Sequence, residues 1–128
     1  MSDSKDLTFG KAERLKSKIE IAQLFESGKS LAKFPLRLIY LALDNDKEHH
    51  KIGVSVSKRN FQKAVDRNHI KRLLRESYRK NKHLIFNKST TSYAIMFLYI
   101  GKAKPNYQTL DDKMAQLLKE LNQKELNT

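Results

Sequence analysis

The chain has 128 residues, with 26 Lys and Arg against 14 Asp and Glu, a formal charge of +12, and 39% hydrophobic residues. One core organises about 100 to 200 residues, so a single domain is expected, and the surplus positive charge belongs on its surface, where a nucleic acid is the natural partner. With no cysteine, a disulfide framework and a thiolate zinc site are excluded; with no signal-like start and no apolar run near the ~20 residues of a bilayer span, a cytoplasmic protein is expected.

In chain order, residues 1–13 are polar apart from Leu7 and Phe9 and are expected to be a flexible lead-in to a domain over 14–124, with 125–128 as a tail. Ser17 and Glu20 stand in capping-box spacing, Ile21, Leu24 and Phe25 share a helical face, and Gly28 follows, which predicts a helix near 18–27. The stretch Phe34 to Leu43 reads as a strand with Pro35 confined to its start or an edge. Asp44 to His50 carries turn chemistry, and Ile52, Val54 and Val56 alternate, so 36–43 and 51–57 are expected to pair as a hairpin.

Lys58 to Lys80 then reads as one basic helix. The apolar run Tyr93 to Ile100 predicts a strand covered on both faces. A last helix is expected with Thr109 as its cap, Asp112 as its third residue, and Leu110, Met114, Leu117, Leu118 and Leu121 as its buried stripe. The order helix, strand, strand, helix, strand, helix fits a small α+β sandwich.

The basic helix concentrates the charge. Residues 51–82, one quarter of the chain, hold eleven Lys and Arg against Asp66 and Glu76 and so carry +9 of the +12. With Arg67 at 0° and about 100° per residue, Lys71, Arg75, Asn68, Arg79 and Arg72 fall between about 40° and 140°, while Leu73, Ile70, Ser77 and Leu74 lie near 240–340°. Like charges at i,i+4 cost about 0.2–0.5 kcal/mol per pair, and Lys58, Arg59 and Lys63 crowd the expected helix start, where acidic side chains are preferred. Bound phosphates would reverse both penalties, which marks this face as a nucleic-acid-binding surface.

SVSKRNFQKAVDRNHIKRLLRESYR resembles the signature of the protein subunit of bacterial ribonuclease P. Lys58 and Arg59 match its basic pair, Ala64 its alanine, Arg67 and Asn68 the start of its Arg-Asn-Arg motif, and Lys71, Arg72 and Arg75 the remainder. The segments RLKSKIEIAQLFESGKS, KIGVSVSK and YIGKAKPNYQ are similar to flanking parts of the family, so the likeness covers about residues 14–121.

The resemblance implies a two-layer α/β sandwich of αβββαβα order, hence an additional short strand near Ser30 to Ala32, with a mixed central sheet and a left-handed βαβ crossover, like domain 2 of ribosomal protein S5. It implies an endoribonuclease in which a catalytic RNA, one per protein, removes the 5′ leader of precursor tRNA using Mg2+ held mainly by the RNA partners, with no catalytic or metal-binding residue on the protein. The RNA-binding residues would be Lys58, Arg59, Lys63, Arg67, Asn68, His69, Lys71, Arg72, Arg75 and Arg79, and a leader cleft would use Phe25, Arg37 and Tyr40. Two positions depart from the family pattern: His69 stands for the second arginine, replacing a permanent guanidinium by a mostly neutral ring, and Ile21 stands where an aromatic is frequent, which removes a stacking surface.

Other chemistry has less to build on. Asp66 and Glu76 lie more than two helical turns apart, His49 and His50 are adjacent and so expected at the surface, His83 is alone, and His69 with Asp66 is an i,i+3 pair lacking a nucleophile. Tyr40, Tyr93 and Tyr99 lie on strands, and one of them is expected to stack on a base. The alternatives are a structural RNA-binding or ribosomal protein, which shares the basic face and lacks only the signature, and a helix-turn-helix DNA binder, opposed by cations spread along more than three turns.

Overall fold

In the computed structural model the described residues are 15, 18–43, 50–85 and 92–126. They form α1 (Lys18–Ser27), β1 (Lys29–Lys33), β2 (Leu36–Leu43), β3 (Lys51–Val56), α2 (Ala64–Asn81), a 3-10 turn (Lys82–Ile85), β4 (Ser92–Tyr99) and α3 (Tyr107–Leu126). The expectations for the lead-in, for the capping box at Ser17, for the turn from Asp44 to Glu48, for His49 and for the end of the tail lie outside the described residues. The sheet order is β1-β2-β4-β3, with β1 and β4 each antiparallel to β2 and β3 parallel to β4.

The expected hairpin between 36–43 and 51–57 does not form. β4 stands between its two members, paired to β2 from Leu36↔Tyr99 to Leu43↔Ser92 and to β3 from Lys51↔Ala94 to Val56↔Tyr99. The reason is burial: β4 is the strand with apolar side chains for both faces, and the centre of the sheet is where both are dry. The β3–α2–β4 passage is therefore the crossover of a parallel pair. The hairpin of this fold is β1–β2, from Lys29↔Tyr40 to Lys33↔Leu36, with Phe34 and Pro35 as its turn. The short strand implied by the family resemblance is thus present at Lys29–Lys33, and the strand read from Phe34 begins two residues later.

One face of the sheet packs against α2 and α3 around Leu38, Tyr40, Ile52, Ile95 and Phe97, with Ile70, Leu74 and Tyr78 from α2 and Leu110, Met114, Leu117, Leu118 and Leu121 from α3. The helical stripes forecast for both helices are the ones buried, with Tyr78 added and Leu73 half-buried at the margin. The second face is partly covered as well. Leu24 of α1 and Leu15 pack on Ile39, Ala94 and Met96, the Leu15 amide donates to the Ile52 carbonyl at 2.8 Å, and Lys51 Nζ meets both Glu20 carboxylate oxygens at 3.1 Å.

Gly28 ends α1 because of a close approach. Its amide donates to Leu24 O at 2.8 Å, and a Cβ there would stand 2.4 Å from that oxygen and 2.8 Å from Ile39 Cγ2. At the last helix the cap is Asn106, not Thr109: Asn106 Oδ1 accepts the Thr109 amide at 3.2 Å and its carbonyl accepts the Leu110 amide at 3.0 Å, which satisfies donors the first turn leaves open.

α2 and α3 are clamped by Asp111, which is buried at the helix interface. Its Oδ1 accepts Ser77 Oγ at 2.7 Å and Asn81 Nδ2 at 2.9 Å, and its Oδ2 accepts Lys80 Nζ at 3.1 Å. Burial alone pushes this carboxyl upward; the hydrogen bonds from Ser77, Lys80 and Asn81 outweigh it and hold the group below the usual carboxylate range.

Candidate nucleic-acid interface

The basic segment is not one helix. Lys58 to Lys63 is a turn that joins β3 to α2, which starts only at Ala64, because Phe61 leaves helical spacing to enter the core against Tyr99, with ring centroids 5.9 Å apart. Three bonds shape this loop at the sheet's end. The Phe61 amide donates to Ser57 O at 3.1 Å, the Arg59 amide to Ser57 Oγ at 3.1 Å, and Asn60 Nδ2 to Gly101 O at 3.4 Å.

Arg67 holds the same loop from α2. Its Nη1 donates to Phe61 O and Gln62 O, each at 2.9 Å, so this guanidinium is a brace for the turn that carries Lys58 and Arg59. Spacing alone shows Arg67 as another member of the cation row. Both bonds come from the one nitrogen, so they commit a single edge of the guanidinium to two consecutive backbone carbonyls.

On α2 itself, burial of Ile70, Leu74, Ser77 and Tyr78 turns Asn68, His69, Arg72 and Arg79 fully outward and leaves Arg67, Lys71 and Arg75 half-buried along the flank. The outward ridge is thus rotated from the row that spacing suggests, since Tyr78 extends the buried side toward Arg67. Lys58, Arg59 and Lys63 are exposed on the loop. None of Lys58, Arg59, Lys63, Lys71, Arg72 and Arg79 has a carboxylate partner among the described residues. Asp66 is taken by Lys104 at 3.3 Å and Asp111 by Lys80.

The second candidate surface is on the sheet face that α1 shares. The registers place Ser30, Ile39, Met96 and Gly53 in one row across the sheet and Ala32, Arg37, Leu98 and Ser55 in the next. In the first row Ile39 and Met96 are buried under α1. In the second Ala32 and Arg37 are exposed and Leu98 and Ser55 half-buried. Phe25, on α1, is 52% exposed. Arg37 is thus exposed on the sheet face that α1 shares, and Phe25 is exposed on α1 itself.

Tyr40 does not join them. It points to the opposite face, 4% exposed, with its ring edge-on to Tyr93 at 6.1 Å. Tyr93 and Tyr99 are buried too, and Tyr99 Oη donates to Ala103 O at 2.6 Å. All three expected stacking candidates are core residues, because their strand parity matches the face that α2 and α3 cover. His50 is likewise no plain surface residue: its Nδ1 accepts the Tyr93 amide at 3.0 Å.

Among the described residues no group of three or more His, Cys, Asp or Glu could hold a metal ion, and no helix is long and apolar enough to cross a membrane. What the geometry offers is a cationic ridge on one side of the sheet and, on the other, a row of exposed and half-buried side chains beside α1.

The chain is similar to known proteins in both sequence and fold. The family model "Ribonuclease P" matches residues 9–122. The chain is 38% identical over 117 residues to the ribonuclease P protein component of Porphyromonas gingivalis, covering 87% of this chain and 85% of that one. It is 35% identical over 130 residues to that of Chlorobium phaeobacteroides, covering 91% and 89%. Among solved structures, the ribonuclease P protein of Thermotoga maritima superposes with a TM-score of 0.70 at 26% identity, covering 84% of this chain and 96% of that one. The Staphylococcus aureus protein gives 0.71 at 24% identity, over 87% and 96%.

Proposed function

The chain belongs to the ribonuclease P protein family, whose members are the protein subunit of an endoribonuclease that processes tRNA, and from that premise we propose how its two surfaces divide the work. The ridge of Lys58, Arg59, Lys63, Asn68, His69, Arg72 and Arg79, with Lys71 and Arg75 on its flank, binds the phosphates of the catalytic RNA, one protein to one RNA, in the cytoplasm. The cleft of Phe25, Arg37, Leu98 and Ser55 holds the single-stranded 5′ leader of precursor tRNA. Magnesium stays with the RNA, which carries out hydrolysis, while the protein supplies fixed positive charge that lets two polyanions approach. Arg67 positions the loop.

The observation that carries this reading is the set of exposed cations with no carboxylate partner among the described residues. In water they repel one another, and neutralisation by phosphates releases counterions from the RNA. The leader assignment is supported by the open row at Arg37 and Leu98, because unpaired bases need an accessible apolar surface and a nearby cation.

The assembled enzyme is expected to bind precursor tRNA roughly tenfold or more tighter than tRNA trimmed of its leader, the worth of one or two stacked bases. Equilibrium binding of the two substrates checks this. Equal affinity would remove the leader from the cleft.

A further inference from the structure

The β1–β2 turn exposes an aromatic ring that the two surfaces above do not use. Phe34 is 69% exposed, and Ile100, just past β4, is 39% exposed. Single exposed apolar side chains are ordinary; these two are neighbours. The Ile100 amide donates to Pro35 O at 2.8 Å, and Pro35 Cβ would lie 3.1 Å from a Cβ on Gly101. Through the Asn60 to Gly101 bond the same corner reaches the loop bearing Lys58 and Arg59, and Lys102 follows on its other side, all three exposed.

The corner also continues the cleft. Along β4 the side chains facing α1 are Ala94, Met96 and Leu98, and Ile100 has the same parity. Exposure rises along this line from buried Ala94 and Met96 through half-buried Leu98 to Ile100, as the cover of α1 ends. Phe34, in the turn whose Pro35 carbonyl bonds Ile100, lies at this same end of the sheet. We propose that Phe34, with Ile100 at the same corner, is a stacking platform for an unpaired base of the single-stranded leader where it leaves the cleft, a phosphate of the leader meeting Lys102.

The local charge selects this occupant. A second copy would bring three like-charged side chains against three more, whereas single-stranded RNA supplies a π-face for Phe34 and a phosphate for Lys102. The proposal rests on the leader reading of the cleft and extends it by one subsite.

The test is equilibrium binding by the enzyme assembled from full-length protein and catalytic RNA, to precursor tRNA and to leader-trimmed tRNA. Phe34→Ala is expected to weaken precursor binding about fivefold, the lower end for one stacked base, with trimmed tRNA unchanged and Phe34→Trp restoring precursor affinity. The side chain is exposed, so the fold tolerates both variants. If wild type itself fails to distinguish the two substrates, the cleft reading is what fails. If wild type distinguishes them and Phe34→Ala does so equally well, only the platform is overturned. It is also overturned if the variant weakens both substrates alike, or if sedimentation shows that it loses only self-association.

Discussion

Replacing Lys58, Arg59 and Arg72 together by alanine is expected to flatten the salt dependence of binding to the catalytic RNA by about two to three units of log–log slope, at about 0.7–0.9 for each phosphate no longer neutralised. These three are chosen because they are exposed, lack a carboxylate partner among the described residues and do not shape the loop through their side chains. Arg67 is a poorer probe. Its guanidinium bonds Phe61 O and Gln62 O, so its removal would loosen the loop and change affinity through geometry as well as charge. Titrations at four or five salt concentrations measure the slope, and an unchanged slope would place the phosphate-binding side chains elsewhere.

Asp111→Ala is expected to cost about 2–4 kcal/mol of stability, because it strands the Ser77 hydroxyl in a dry helix interface and removes the acceptor shared by Asn81 and Lys80. The pH dependence has a definite sign. The folded carboxyl is held below its ordinary value, so its contribution is fully present above the unfolded value of about 3.9 and is lost as pH falls through the lower folded one. Denaturant midpoints at pH 7 and pH 3 should therefore converge between wild type and Asp111→Asn as the pH falls. A gap that is constant with pH would show that the ionised carboxylate contributes nothing.

Much of this fold is legible in the sequence because burial and periodicity agree. The stripe Leu110, Met114, Leu117, Leu118 and Leu121 predicts the dry side of α3, and the unbroken run at 93–100 predicts the most enclosed strand. Strand pairing is not legible. Adjacency in sequence favours a 36–43 with 51–57 hairpin, yet the β3–α2–β4 crossover puts β4 between them, a choice made by the whole core and not by any local signal.

The site is readable as chemistry and less so as geometry. Composition locates the cations, but the turn before α2 depends on Phe61 reaching Tyr99, and the rotation of the ridge depends on Tyr78 being buried. Tyr40 resembles a stacking residue by type, and type says nothing of which sheet face a side chain occupies; counting parity from Leu38 places it in the core. Asp111 does not stand out beside Asp112, although its position next to the buried stripe at Leu110 is the available clue. Phe34 reads as a strand residue, and only the turn reveals it as exposed.

On the proposed function, fixed positive charge on this subunit replaces part of the magnesium needed to bring catalytic RNA and precursor tRNA together. The direct measurement is 5′ cleavage of precursor tRNA by the catalytic RNA at a magnesium concentration too low for the RNA alone. Cleavage should be restored by the wild-type chain and not by the variant lacking Lys58, Arg59 and Arg72, with raised magnesium rescuing the variant. Equal restoration by both proteins would contradict it.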